Sequence, residues 1–389
     1  MTRPSPRKRR YLRQLEDLPG LFDMVDIDMN VGKNSGSAPA VPGGEAAAEV
    51  AAGNAAEAAI GDVDPGVLRR HEAIRFISFG SGSSGNCAYL GNSSGGILID
   101  AGVDKDQVLK GLADNNIDPA SIAGIIVTHD HSDHIHFAYT LLRANRTWAL
   151  FCTPRCLQGL LRRHSISRRI SDYHKAIYKE FEFQAGGFAI TPFETSHDGS
   201  DNVGFSIRRG DRTFVIGTDM GVITERAAHY MSRANYLMLE ADYDTDMLRT
   251  GRYPEYLKAR IAGDRGHLSN ADAAAFLVQT LTGAGNDAAT EAGATVEATE
   301  GAANASAVAE GAANASAAAA PESVLSHVFL CHLSKDNNTP ALAVATIGKA
   351  IRDAGITVGD AGGSPEAKAA RLQLCALPRF DASPLYILR

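Results

Sequence analysis

The sequence predicts an α/β (α+β) protein in which two mixed β-sheets are flanked by helices. Short apolar runs separated by Gly/Ser turns occupy 74–79, 87–90 and 96–99, as is typical of strands. Helical periodicity follows at 105–113 and near 135–144, and strand and helix patterns then alternate. A strand-rich first half followed by a mixed second half favours two sheets covered by helices.

The same patterns place the remaining elements. Strands are predicted at 125–127, 149–152, 179–183, 188–193, 203–208, 213–217, 236–239 and 327–330, with a last apolar run at 385–388. Helices are predicted near 222–232, 254–262, 270–281 and 339–354. This order of elements predicts one large domain over 71–389.

Two stretches are poor in large apolar residues and are predicted to be disordered. Residues 1–70 form a leader that passes from a basic head to an Ala/Gly-rich tract. Residues 283–322 form an Ala-rich insertion in the domain, with a near repeat at 300–306 and 310–316. Neither stretch offers enough apolar surface to offset the entropy of ordering the chain.

Composition sets outer limits on function. The chain has 389 residues, 44% of them hydrophobic, and a formal net charge of −7. That charge does not suggest a nucleic-acid binder overall, although local basic patches matter more than the net value. The five cysteines are sparse and odd in number, which favours buried thiols over a disulfide framework.

The sequence predicts no membrane role. No apolar run reaches the length of a membrane span, and no apolar segment follows the basic head as it would in a secretory signal. We therefore expect a cytoplasmic protein, and the sequence makes no prediction of its oligomeric state.

A dense cluster of metal-ligand types lies at Thr128-His-Asp-His-Ser-Asp-His134, directly after a buried-type strand. His129 and His131 are two residues apart in an extended loop, so their side chains can point to one ion. Asp133 and His134 begin the following helix and can turn toward a second ion. The alternative is a polar cluster at a helix start, which three histidines and an aspartate at this spacing disfavour.

This segment resembles the HxHxDH signature of the metallo-β-lactamase superfamily. The other family elements occur in order along the chain: 97–102 with Asp100 at a strand end, 195–197 with His197, 217–219 with Asp219, and 329–332 with His332. The resemblance covers 74–282 and 323–389. It implies a four-layer αββα sandwich of two mixed sheets flanked by helices.

The resemblance also implies a ligand set for two divalent metal ions, zinc or manganese. The first ion would be held by His129, His131 and His197. The second would be held by Asp133, His134 and His332. Asp219 would bridge them, and Asp100 would lie behind the ligands and hydrogen-bond the histidine loop.

The charge of such a centre favours an anionic substrate. Two divalent ions outweigh the carboxylates of Asp133 and Asp219 together with a bridging hydroxide. Two metals about 3.5–4 Å apart activate water and stabilise the attacking and leaving oxygens of an in-line displacement. A phosphate group suits this arrangement.

Further segments point to a branch of the family. Ser81-Gly-Ser-Ser-Gly-Asn86, Gly266-His-Leu-Ser-Asn270 and His332-Leu-Ser-Lys-Asp-Asn337 are similar to the YycJ/WalJ-type exonucleases. The resemblance implies a nuclease that acts on DNA. In such a nuclease His267, supported by Glu240 at a strand end, would act as a general acid or would hold the substrate phosphate.

Three more residues, Asn86, Lys335 and Asn337, are predicted to line the phosphate path. A basic stretch at 162–175 can follow a nucleic-acid backbone, although a solvated helix face explains it equally well. The alternative function is a small-molecule hydrolase of the thioesterase or lactonase type, which would use the same metals. A tRNA-processing role is disfavoured, because 283–322 has almost no basic residues to form a tRNA-binding arm.

Overall fold

A computed structural model describes residues 73–283, 324–359 and 369–389. These residues belong to one compact unit, 72–389. The predicted leader 1–70 lies outside the described residues, as does the predicted insertion 283–322 apart from its first residue. That residue, Gly283, ends a helix in the left-handed conformation, with φ of 74°.

Fifteen strands and nine α-helices make up the described part of the chain. The strands are β1 Ile74–Gly80, β2 Cys87–Asn92, β3 Gly95–Ile99, β4 Ile122–Ile126, β5 Ala149–Cys152, β6 His174–Ala176, β7 Phe183–Ala185, β8 Phe188–Glu194, β9 Val203–Arg209, β10 Arg212–Gly217, β11 Tyr236–Glu240, β12 His327–Cys331, β13 Val358–Gly359, β14 Leu372–Ala376 and β15 Tyr386–Leu388. The helices are α1 Lys105–Asp114, α2 Ser132–Ile135, α3 Ala138–Ala144, α4 Pro154–Arg163, α5 Glu225–Met231, α6 Thr245–Thr250, α7 Glu255–Ile261, α8 Asn270–Thr282 and α9 Pro340–Asp353.

The strands form two mixed sheets, as predicted. The seven-stranded sheet has the order β15-β1-β2-β3-β4-β5-β6, and the eight-stranded sheet has the order β13-β14-β12-β11-β10-β9-β8-β7. Each sheet joins an antiparallel part to a parallel part, which begins at β3 in the first sheet and at β10 in the second. The carboxyl ends of the parallel strands therefore lie at one edge of each sheet, where such folds place their ligands.

Alternating side chains along the parallel strands fill separate apolar layers. In β3, Ile97 and Ile99 belong to the core between the sheets, whereas Leu98 packs with helices on the outer face. In β11, Met238 lies in the core between the sheets and Leu239 packs under the helices of the other outer face. Both faces of these strands are buried, so their sequences are continuously apolar. The result is the predicted four-layer αββα sandwich.

Two predicted elements differ from the structure. The strand predicted at 179–183 is wrong, because Phe181 donates a backbone hydrogen bond to Tyr178 O (3.1 Å) and Glu180 has φ of 69°. That turn delays the strand to Phe183–Ala185. The helix predicted near 135–144 is two helices, α2 and α3, because Phe137 leaves helical geometry to donate to Ala101 O (2.8 Å).

The patterns also missed several short elements. Helix α4 begins at Pro154, where Thr153 Oγ1 accepts a hydrogen bond from Cys156 N (3.1 Å), and includes part of the basic stretch. Strand β14, which was also not predicted, has only five residues and pairs with β12 and β13. Within 73–283, 324–359 and 369–389, no helix has the length and apolarity needed to span a bilayer.

Gly102 has no side chain, so the carbonyl of Asp133 can pack directly against it after β3, and replacing it tests the fold. A Cβ at this position would overlap the carbonyl oxygen of Asp133. We expect Gly102→Ala to destabilise the protein by about 1–3 kcal/mol, as overpacking does, measured by urea unfolding. Gly348→Ala is the matched control, because its Cβ would meet only the flexible side chain of Arg352. The control should be neutral or stabilising, and equal losses in both variants would contradict this account.

Candidate metal centre

The predicted metal ligands converge at the carboxyl edge of the two sheets. Asp100 follows β3, the segment 128–134 follows β4, and Asp219 and His332 follow β10 and β12. His197 follows β8, which runs in the same direction as β10 because each is antiparallel to β9. The strand directions therefore bring five separate chain segments to one place.

Three residues at these strand ends have left-handed backbone geometry. Asp100, Asp219 and His332 have φ of 57°, 51° and 53°. This conformation is uncommon for residues other than glycine, costs about 1–3 kcal/mol at each position, and clusters at functional sites. The sharp turn it produces redirects the chain directly after the strand.

Three histidine nitrogens form the first cluster. His131 Nδ1 is 3.0 Å from His129 Nε2 and 3.2 Å from His197 Nε2. His129 and His197 are buried, and the His131 side chain is 20% exposed. The three nitrogens can share one ion.

A second cluster lies beside the first and contains Asp133, His134 and His332. Asp133 Oδ2 is 3.3 Å from both His134 Nε2 and His332 Nε2. Asp219 reaches both clusters: its Oδ2 is 3.3 Å from His134 Nε2, and its Oδ1 is 3.7 Å from His197 Nε2. Asp219 thus contacts both clusters, and its role as a bridging carboxylate stays a prediction.

Hydrogen bonds behind the clusters set which ring nitrogen faces inward. Asp100 Oδ2 accepts from His134 Nδ1 (2.8 Å), and Asp100 Oδ1 accepts from Thr128 N (2.8 Å). His197 Nδ1 donates to Gly266 O (2.9 Å). When either histidine is neutral, these acceptors place its proton on Nδ1, so Nε2 presents a lone pair to the cluster.

His267 and Glu240 form a buried pair at the edge of both clusters. His267 Nδ1 lies 2.7 Å from Glu240 Oε1, and Glu240 Oε2 accepts a hydrogen bond from Met220 N (2.7 Å). The His267 ring stacks on the His332 ring, with centroids 5.1 Å apart and planes 10° apart, and is 5.0 Å from the His197 ring. The two residues that the sequence pairs are thus in direct contact, and their catalytic role stays a prediction.

Burial and charge divide the ionisable groups of the site. Burial and the neighbouring histidines hold the pKa of His129 well below its usual value, and burial lowers that of His197 to about 4. Burial also opposes the charged forms of Asp219, His134 and His332. The attraction between these opposite charges outweighs burial, lowers the pKa of Asp219 and raises those of His134 and His332. Metal binding here must therefore displace protons.

The donor set fits divalent cations. The His, Asp and Glu side chains form four overlapping groups of possible ligands. Within each group, the ligand atoms all lie within 4.8 Å of one another. Imidazole nitrogen and carboxylate oxygen suit zinc, manganese or iron. The first cluster offers nitrogens alone, and the second mixes nitrogen and oxygen.

Comparison with known proteins decides the family. The beta-lactamase superfamily domain matches residues 96–284. The chain is 32% identical over 209 residues to exodeoxyribonuclease WalJ of Streptococcus pneumoniae serotype 2, covering 54% of this chain and 77% of that protein. The chain belongs to the metallo-β-lactamase superfamily, in its YycJ/WalJ-like branch. Divalent metal binding follows from this membership and from the His/Asp clusters.

One further relative supports this placement within the metallo-β-lactamase superfamily, and one solved structure shares the fold. The chain is 27% identical over 291 residues to exodeoxyribonuclease YycJ of Bacillus anthracis, covering 74% of this chain and 93% of that protein. The metallo-beta-lactamase fold protein YhfI of Bacillus subtilis superposes with a TM-score of 0.50 at 12% identity, covering 81% of this chain and 99% of that one. The second likeness concerns the fold alone.

The three residues predicted to line a phosphate path occupy different environments in this metallo-β-lactamase fold. Asn86 is buried, and its Nδ2 donates to Asp133 Oδ2 (3.1 Å). Asn337 is also buried, and its backbone N–H donates to Ser334 Oγ (3.3 Å). Lys335 is exposed. Their contact with a substrate stays a prediction.

Sequence reasoning missed two carboxylates at the centre of this metallo-β-lactamase site. Asp198 Oδ1 lies 3.3 Å from His131 Nε2, and Asp242 Oδ1 lies 4.0 Å from His332 Nδ1. Burial raises the pKa of Asp242 to about 6. Their signal was faint: each is a lone acid beside a recognised residue.

The donor set predicts that divalent cations stabilise the protein and release protons on binding. Zinc or manganese at about 100 times its dissociation constant should add about 2.7 kcal/mol to the free energy of unfolding. Affinity should rise with pH, because the protons on His134 and His332 compete with the cation. Calorimetry in two buffers of different ionisation enthalpy measures the release.

The control is Asp219→Ala, which removes the carboxylate shared by both clusters and should lose most of this stabilisation. A wild-type protein whose unfolding is indifferent to both cations would contradict the assignment.

Proposed function

We propose that this protein is a metal-dependent phosphodiesterase, and specifically a DNA exonuclease. The observation that carries the proposal is the buried His267–Glu240 pair, placed against the metal-ligand histidines. A simple metal centre can hydrolyse many bonds, whereas a protonated imidazole beside it suits an oxygen leaving group. The likeness to two proteins named exodeoxyribonucleases supports DNA as the substrate.

We propose two divalent ions, zinc or manganese, as the cofactors. His129, His131 and His197 would hold one ion, and Asp133, His134 and His332 the other. Asp219, within 4 Å of nitrogens from both clusters, would bridge them. Such ions supply Lewis acidity, which lowers the pKa of water and stabilises charge on a phosphate.

The chain's own residues orient the ligands and manage the proton. Asp100 fixes the ring of His134, and Gly266 O fixes that of His197, so neither histidine must reorganise when it binds. Glu240 accepts a hydrogen bond from Nδ1–H of His267, which leaves Nε2 as the ring nitrogen that can serve the substrate.

The pKa of His267 supports a role as proton donor. Burial lowers this pKa, but the carboxylates of Glu240 and Asp242 outweigh burial and raise it to about 9. Cations bound next to His332 would lower it again, toward the range in which a general acid is most effective at neutral pH. His267 would then protonate the leaving oxygen or hold the phosphate.

The path of the nucleic acid is part of the proposal. Lys335 is exposed three residues after His332 and can meet a phosphate. Asn86, whose Nδ2 donates to Asp133 Oδ2, would act closer to the centre, and Asn337 is buried two residues after Lys335. The basic stretch at 162–175 begins on α4, where Arg163 lies 3.8 Å from Asp130 of the histidine loop. Positive charge so close to the centre fits a polyanionic strand.

An assay on labelled DNA tests the proposal. Protein loaded with manganese or zinc should shorten DNA from an end, and a chelator should abolish this activity. A panel of RNA, thioesters and lactones runs in parallel. A loaded protein that leaves DNA intact while it hydrolyses a thioester or lactone would refute the nuclease and favour the small-molecule hydrolase.

Replacing His267 separates its proposed role from metal binding. We expect His267→Ala to lower turnover by about 10²–10⁴-fold, the usual contribution of a general acid, while elemental analysis finds the wild-type metal content. His229→Ala is the matched control, since His229 is exposed on α5. Loss of metal on the His267 change would make it a ligand, and wild-type turnover would remove it from the reaction.

A further inference from the structure

The two ring nitrogens of His131 face different partners. Nδ1 is turned to the first cluster, 3.0 Å from His129 Nε2 and 3.2 Å from His197 Nε2. Nε2 is turned away from those nitrogens and lies 3.3 Å from Asp198 Oδ1. A neutral imidazole has one nitrogen with a proton and one with a lone pair, so these surroundings must decide which is which.

Asp198 Oδ1 is suited to accept a hydrogen bond from His131 and not from His197. It lies 3.7 Å from His197 Nε2, but the proton of His197 is on Nδ1, which donates to Gly266 O. His131 Nε2 is therefore the donor available to this oxygen. Oδ1 is buried and has no hydrogen-bond partner within the described residues, so a proton on His131 Nε2, 3.3 Å away, would satisfy it.

Arg260 fixes the Asp198 carboxylate from the opposite side. Both Nε (2.8 Å) and a terminal guanidinium nitrogen (2.7 Å) of Arg260 contact Asp198 Oδ2. The Asp198 side chain is 29% exposed and that of Arg260 28%, so the pair is partly shielded from water. A charge-assisted contact of this kind positions a carboxylate as well as stabilising it.

The segment that contains Arg260 also holds the rest of the His197 loop. Ser196 Oγ donates to Asp264 O (2.6 Å), Arg265 donates to His197 O (3.0 Å), and Gly266 O accepts from His197 Nδ1. The next residue is His267. One short stretch, 260–267, thus orients two ligand histidines and carries the proposed acid.

We propose that Asp198, held by Arg260, is a positioning residue that accepts a hydrogen bond from Nε2–H of His131 and so leaves Nδ1 as the metal-binding nitrogen. The proposal rests on the metal centre of the proposed function and concerns no step on DNA. Without the carboxylate, His131 can adopt either tautomer and rotate. Metal binding must then order the ring, which lowers the observed metal affinity. Loss of such a supporting carboxylate typically lowers affinity about 10–100-fold.

Two measurements on the full chain test this proposal without an activity assay. In zinc-loaded protein labelled with ¹⁵N-histidine, long-range ¹H–¹⁵N correlation should show His131 protonated at Nε2. Competition with a chromophoric chelator should show that Asp198→Asn binds zinc about 10–100-fold more weakly than wild type. Arg260→Met, which keeps the apolar stem, should lose part of this affinity, and Arg260→Lys should recover some of it.

Asp201→Asn is the matched control. Asp201 is on the same loop and pairs with Lys179 (2.7 Å), and no ion pair joins it to a histidine within the described residues. It should bind zinc as wild type does. A proton on Nδ1 of His131 would overturn the proposal, as would equal zinc affinities for Asp198→Asn, Arg260→Met and Asp201→Asn. A protein that passes both tests yet leaves DNA intact would contradict the proposed function alone.

Discussion

The buried carboxylate of Asp219 is the constraint on which the rest of the centre depends. It is 2% exposed, and a lone charge in that position would cost several kcal/mol. Its oxygens lie within 4 Å of nitrogens from five histidines: His129, His134, His197, His267 and His332. The fold can keep this charge only by surrounding it with groups that become cationic or bind cations. The histidines are thus a condition for burying Asp219 as well as candidate ligands.

The parallel register of the second sheet makes this arrangement possible. Strands β10, β11 and β12 are adjacent and in register, with Gly217 opposite Leu239 and Leu239 opposite Leu330. One or two residues beyond these positions lie Asp219, Glu240 and His332. The two carboxylates and the imidazole therefore meet at the sheet edge without long loops. The left-handed φ of Asp219 and His332 then turns the chain at the edge. The apolar layers on both faces resist the relaxation that would separate these groups.

The sequence predicts this edge well because its information is local. Each ligand directly follows an apolar strand, and parallel strand ends must meet, so type and position together specify the cluster. The fold class follows from the same strands. The turn at Tyr178–Phe181 was mistaken for a strand because its apolar residues fit the pattern, whereas Glu180 is held there by a long-range contact with Arg226. The break between α2 and α3 likewise depends on a contact that is distant in sequence, because Phe137 N donates to the carbonyl oxygen of Ala101.

The parts that could not be predicted depend on how the loops dock. Asp198 is fixed beside His131 because α7 brings Arg260 into contact with its carboxylate. The two residues are 62 positions apart in the sequence, so local patterns do not predict that pairing. Asp130 similarly ties the histidine loop to Ser200, whose N–H donates to it (2.7 Å), so the loops that follow β4 and β8 are joined directly. The strands thus decide which residues meet, and the loop contacts decide which ring nitrogen each histidine presents. A metal centre needs both, because a ligand with the wrong tautomer offers a proton where the cation needs a lone pair.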